Sequence, residues 1–305
     1  MDQTDEPHSF RVVCLQKRCC MKIRFYFILG LFLLGNLRVH AQFFKTPTDT
    51  SKVYHVNKAL NVIPGVALIA INGWGIDKIT NGENTPVEEV LALSIDDVPF
   101  FDRPALRQQD RFEALETEVP RNLSDIGLYT GILSPSVLLF DKEIRRDWAD
   151  VYSMYLLALP LTADMWAVSP LGPNGISRFR PYVYYEEFPI ENRVKSKRRA
   201  SFFSGHAAST AVGTFFAAKV YCDYHPELGN KKWLVYGAAA VPPLWVSYWR
   251  YRDLAHFPSD IVAGFGIGAA IGILVPHLQR NKQKRWGVNA VWNEETKMGR
   301  LVYRF

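Results

Sequence analysis

With 305 residues, 34.8 kDa and 48% hydrophobic against 22% charged residues, the chain is too apolar for a disordered protein and long enough for one large domain or two small ones. Its net charge is +6, but residues 1–41 carry six of the bases and three of the acids, which leaves +3 on the remainder. That balance, without zinc-finger spacing or a basic helix, excludes a nucleic-acid partner. Cys14, Cys19 and Cys20 crowd near the start and leave Cys222 alone, so the body of the chain has neither a disulfide framework nor a cysteine metal site.

In chain order, Met21-Lys22-Ile23-Arg24 and the apolar run from Phe25 to Leu37 make a basic start and a hydrophobic stretch. Val39-His40-Ala41 closes them with a small residue, the pattern of a Sec-type signal cut after Ala41. Residues 1–41 are assigned as this leader; Met21 is an alternative start, and an uncut leader would be a signal anchor. Further apolar stretches run over 59–76, 126–140, 151–169, 207–221, 233–248 and 261–278. A membrane helix needs about 20 mostly apolar residues, and several of these stretches are short or broken by Gly and Pro. The last is the clearest, with Gly264, Gly268 and Gly272 recurring every four positions for close helix contact in lipid.

Cytoplasmic loops should be rich in Lys and Arg. Lys142, Arg145 and Arg146, then Lys231 and Lys232, then Arg280, Lys282, Lys284 and Arg285 all fall on one side if every stretch from 126 onward spans. The same parity places residues 42–125 and the loops 170–206 and 249–260 outside, provided that 59–76 does not cross. Pro64, Gly65, Asn72 and Gly73 favour an interfacial or re-entrant helix there. Residues 77–125, punctuated by Pro86, Pro99, Pro104 and Pro120, read as short helices and loops at the membrane surface. The predicted fold is an all-α, integral-membrane helical bundle of about five to six spanning helices with its active site on the outer face. The domains are the leader 1–41, an extracytoplasmic segment 42–125, a core 126–280 and a tail 281–305.

Three clusters carry chemistry. Arg178, Arg180, Arg193, Lys195, Lys197, Arg198 and Arg199 break the charge rule by crowding an outer loop, and Arg180-Pro181 sets a guanidinium close behind an apolar helix, where its planar fork suits a phosphate. Ser204-Gly205-His206 leads into an apolar helix whose free N–H groups and positive dipole end form an anion site. Arg250, His256 and Asp260 precede the clearest membrane helix; His and Asp four apart share one helical face, so the carboxylate is placed to hold one imidazole nitrogen and free the other. Pro258 is tolerated because it lies in the first turn.

In that order the three clusters resemble the type 2 phosphatidic acid phosphatase and vanadium haloperoxidase superfamily, whose pattern is Lys-x6-Arg-Pro, Pro-Ser-Gly-His and Ser-Arg-x5-His-x3-Asp. The resemblance covers about residues 126–280 and, with the leader, points to a bacterial envelope member. Three positions depart from it: Pro173 stands where the lysine is expected, Phe203 replaces the proline before Ser204, and Trp249 replaces the serine before Arg250. Arg178 or a basic residue of 193–199 is the candidate substitute for the lysine.

The resemblance implies metal-independent hydrolysis of a lipid phosphate or diphosphate at the outer face of the bacterial inner membrane. His256 would be the nucleophile and form a phospho-histidine, Asp260 its orienting partner and His206 the acid and base. Arg180, Ser204, Gly205, Arg250 and Arg178 would hold phosphate. No cofactor is implied, and a metal held by His206, His256 and Asp260 would be opposed by Arg180 and Arg250. The substrate class is a phospholipid, an isoprenyl diphosphate or a lipid A-type phosphate, with no protein partner inferred. The competing reading is a non-catalytic phosphate- or lipid-binding membrane protein with a degenerate site.

Overall fold

The computed structural model describes residues 52–108, 118–281, 286–293 and 296–303; the leader lies outside them. Six long helices account for most of the described chain: α1 (Lys58–Thr80), α2 (Val119–Leu133), α3 (Trp148–Ala167), α4 (Gly205–Tyr224), α5 (Lys232–Arg252) and α6 (Pro258–Gln279). A 3-10 turn, Ser134–Phe140, extends α2. By length and composition α1, α2 with its extension, and α6 are apolar enough to cross a membrane. The other three carry interior polar groups, such as Asp150 and Asp164 in α3 and the paired Lys219 and Asp223 in α4. The hub is α4, which packs against α2, α3, α5 and α6.

The polarity of α1 is inverted relative to a water-soluble helix. It buries Asn61, Gly65, Gly75 and Ile79, while Leu60 and Ile63 are 69% and 66% exposed. Exposed Ile126, Leu234, Leu244 and Val262 continue an apolar exterior over α2, α5 and α6. Such a surface is stable against hydrocarbon and not against water, so the protein is a membrane protein.

The course of α1 departs from the interfacial placement expected for 59–76. Asn57 caps it by accepting from the N–H groups of Ala59 and Leu60, and the helix then runs unbroken through Pro64. Gly65 explains how it fits: a Cβ there would lie 2.4 Å from the Leu156 carbonyl oxygen, so the bare backbone is what lets α1 lie against α3. Lys58 pairs with Asp150, Tyr54 donates to Asp223, and Asn61 and Gln279 exchange hydrogen bonds at 2.9 and 3.0 Å. Thus the residues before α1 meet the start of α3 and the ends of α4 and α6, whereas Ile79 at its far end accepts from Ser196. Since α1 runs the length of the bundle, residues 52–57 and 81–108 lie at opposite ends rather than on one side.

The glycine stripe of α6 sits directly on α4. A Cβ at Gly264, Gly268 or Gly272 would lie 2.4, 2.1 or 2.7 Å from the carbonyl oxygens of Ser204, Ala208 and Val212 respectively. Both partners advance by one turn per contact, so the two backbones touch along three turns, beginning beside Ser204.

Residues 87–107 do more than line the surface. Their short helices supply Val90, Val98, Ala105 and Leu106 to a second core with Phe179, Tyr182, Val183, Leu254 and Phe257. This cap covers the loops that carry the motifs. In the tail, Trp286–Asn293 (β1) and Thr296–Tyr303 (β2) pair antiparallel, with Trp286 opposite Tyr303, a hairpin that the assignment of 281–305 as a tail did not anticipate.

Candidate active site

Arg250 stands in the last turn of α5, and the chain must reverse sharply to bring His256 back beside it. Ala255 N–H donates to the Arg250 carbonyl and Leu254 N–H to that of Tyr251, the paired bonds of a Schellman cap. Leu254 has φ 49°, the left-handed conformation that glycine usually occupies there. Its side chain is fully buried in the cap, so burial offsets a conformational cost of about 1–2 kcal/mol.

His256 is 2% exposed, and its Nδ1 lies 2.7 Å from the Ser201 carbonyl oxygen. A carbonyl only accepts, so Nδ1 carries the proton and Nε2 keeps its lone pair. Burial depresses the pKa of His256 well below the ordinary value, and the cations Arg180 and Arg250 together with His206 depress it further. The ring is therefore neutral at pH 7, with a free lone pair at Nε2.

Asp260 does not hold that ring directly; its Oδ2 lies 4.0 Å from Nδ1. The carboxylate instead accepts from the Ser201 hydroxyl at 2.6 Å, from Arg178 at 2.6 Å and from Phe257 N–H at 2.9 Å. Its grip on His256 passes through Ser201, whose hydroxyl it holds while the Ser201 carbonyl holds the imidazole.

Arg178 is likewise engaged elsewhere than the phosphate position expected for it. One Nη lies 2.6 Å from Asp260 and the other 2.6 Å from Asp102, and the guanidinium stacks 4.1 Å from the Phe257 ring centroid. Asp102 also accepts from the Ser259 hydroxyl and N–H at 2.6 and 2.9 Å. Arg178 is thus a clamp that ties the cap to the start of α6.

Arg180 and Arg250 differ from it. Arg180 gives one Nη to the Ala200 carbonyl at 3.2 Å, and Arg250 gives one to Asp253 at 3.0 Å. In each the Nε is buried without a partner. Arg250 is buried and Arg180 half-buried, and their unpaired Nε donors, with both cations acting electrostatically on His256, make a cradle chemically suited to a small anion. Asp253 itself is held up in pKa by burial, against the pull of Arg250.

Ser204 caps α4, its hydroxyl 3.4 Å from Ala207 N, while its own N–H donates to the Asp260 carbonyl at 2.9 Å. Gly205, at the first helical position, has an N–H without an intrahelical acceptor. The Nε2 of His206 is 2.9 Å from Asp125 at the start of α2, leaving Nδ1 for other contacts.

The sequence motifs therefore converge at one end of the bundle. Asp125, Ser201, Asp102 and Asp253 were missed. Asp253 stands three residues after Arg250 and Asp125 borders an apolar stretch, which are usable signals; nothing local distinguishes Asp102 from the other acids of its segment.

Fold and site define the class: a helical membrane protein that gathers two histidines and two arginines at one end of its bundle. Residues 153–284 match the sequence profile of the PAP2 superfamily. This bears out the resemblance read from the three motifs. Among solved structures, the chain is similar to a transmembrane PAP2 type phosphatidylglycerolphosphate phosphatase from Bacillus subtilis, at 19% identity and a TM-score of 0.38, over 70% of this chain and 95% of that one. No curated protein matches.

Proposed function

We propose that the protein hydrolyses a lipid phosphate or diphosphate through a phospho-histidine at the outer face of a bacterial inner membrane. The observation that carries this reading is the pair of buried, open guanidinium donors of Arg180 and Arg250 beside a neutral His256. The Nε2 lone pair of His256 attacks phosphorus as the bond to the lipid oxygen breaks, and His206 gives that oxygen a proton. Water then attacks the phospho-histidine, passes a proton to His206, and the P–N bond breaks to release phosphate and restore Nε2. Asp125 stabilises the His206 imidazolium that enters the first step and is restored by the second, while Arg180, Arg250, Ser204 and the Gly205 N–H hold the equatorial oxygens.

An apolar exterior favours a lipid, whose phosphate reaches an end-of-bundle site while its chains stay in hydrocarbon. Lys142, Arg145, Arg146, Lys231 and Lys232 lie at the end away from the site, which supports an outward-facing site. Purified protein in excess EDTA is expected to release phosphate from at least one of phosphatidate, phosphatidylglycerophosphate, an isoprenyl diphosphate and a lipid A phosphate. Loss of activity in EDTA would favour a metal hydrolase, and phosphate binding without turnover on the whole panel would favour the non-catalytic reading.

A further inference from the structure

The loop around Arg180 concentrates seven basic residues, and the structure accounts for five of them. Arg178 is clamped between Asp102 and Asp260. Arg193 is buried and donates to the Val183 and Val90 carbonyls. Lys195 is bonded to Asn192 at 2.6 Å. Arg198 donates to the Asn192 carbonyl and to the Tyr182 hydroxyl. Arg199 donates to Ser177 and pairs with Glu89 at 3.1 Å. Of the seven, Lys197 alone makes no side-chain hydrogen bond or ion pair among the described residues, while Arg180 gives only one Nη to a carbonyl and belongs to the cradle.

The backbone holds these two together. Arg180 N–H donates to the Arg198 carbonyl at 2.9 Å and Arg178 N–H to that of Arg199 at 3.0 Å. Arg180 Nη2 reaches the Ala200 carbonyl, and Ala200 N–H turns back to Lys197. Lys197 thus sits in the short 3-10 turn Ser196–Arg199 laid alongside Arg180, with an exposed chain that leaves its ammonium accessible to a substrate.

We infer that Lys197 is a phosphate-binding residue of this site, supplying from the 3-10 turn the cation that Pro173 does not. Its surroundings fit this role. Partial burial lowers its pKa, and Arg198, Lys195, Arg180 and Arg121 lower it further. A cation pressed among four others lacks a counter-charge that a phosphoryl anion would bring. Five neighbouring bases are neutralised or bonded and this one is not, which separates it from an ordinary solvated charge run.

The inference rests on the phosphatase reading for its activity test but not for its binding test. Lys197→Ala is expected to raise KM and weaken binding of inorganic phosphate on the order of tenfold or more, the value of a hydrogen bond to a charged group. Lys197→Arg is expected to recover most of this, and Lys195→Ala to leave both readings unchanged. The Lys197→Ala variant should melt with the wild type, because no partner is lost. Unchanged KM and unchanged phosphate affinity in Lys197→Ala, with an active wild type, would overturn the inference and leave the phosphatase reading standing. A wild type inactive on every lipid, whose phosphate binding still weakens in Lys197→Ala, would do the reverse. A wild type that binds no phosphate by calorimetry would overturn both.

Discussion

Under the proposed function, His256 carries the chemistry of the site and Arg178 its support. His256→Ala removes Nε2 and is expected to abolish turnover while leaving phosphate affinity nearly intact, which separate kinetic and calorimetric measurements would resolve. Arg178→Ala leaves Asp102 and Asp260 buried without a cation, so its expected effect is a loss of about 3–5 kcal/mol in stability, visible in melting before any change in KM. The pH dependence follows from the burial of His256. Since its folded pKa is depressed, the acid limb of kcat/KM should lie below about 6.5, the free-histidine value. The stability linked to it is present above that value and falls as pH drops toward the folded pKa. His225 at the opposite end has the other sign. Its bonds to Glu227 and Asp141 outweigh partial burial and raise its pKa, so its contribution is complete below about 6.5 and is lost as pH climbs through the raised value. The left-handed Leu254 gives an inverted series. Leu254→Gly should destabilise less than Leu254→Ala, because glycine relieves the backbone cost that alanine keeps.

At the level of helices, the contact between α4 and α6 sets the distance between the two histidine motifs. Gly268→Val would drive carbon atoms into the Ala208 carbonyl and is expected to cost about 1–3 kcal/mol and reduce activity, because Ser204 and His256 would part. Gly266, two residues away, has open space at its Cβ position, so Gly266→Val should be silent in the same assays. This stripe was legible in the sequence, because a repeat of four in an apolar run has few other uses. The course of α1 was not. Pro64 and Gly65 look like helix breakers locally, and only the close approach to the Leu156 carbonyl reveals the glycine as a packing device. For the same reason the motif residues were legible by type and spacing, whereas the routing of Asp260 through Ser201 depended on a loop conformation that spacing does not encode.

For the whole molecule, α1 ties sidedness to a single crossing. Reporters fused after residues 145 and 282 are expected to behave as cytoplasmic, and one near residue 190 as external. One inserted after residue 84 should agree with 190, because both lie at the site end of the bundle. An external reporter at 145 would move the catalytic end to the cytoplasmic leaflet. The placement of Lys219 and Asp223 also bears on how the chain is made. Alone, α4 would bring a charged pair and several hydroxyls into lipid, and its neighbour α6 is the last long helix to be synthesised. Until α6 arrives, the carbonyl row of Ser204, Ala208 and Val212 has no glycine face against it. On the proposed function, docking of α6 would be the late event that both packs α4 and brings His256 beside Ser204 and His206. A chain ending after Arg252 should be cleared by membrane proteases rather than accumulate as an inactive bundle, and pulse-chase labelling would measure that difference in lifetime.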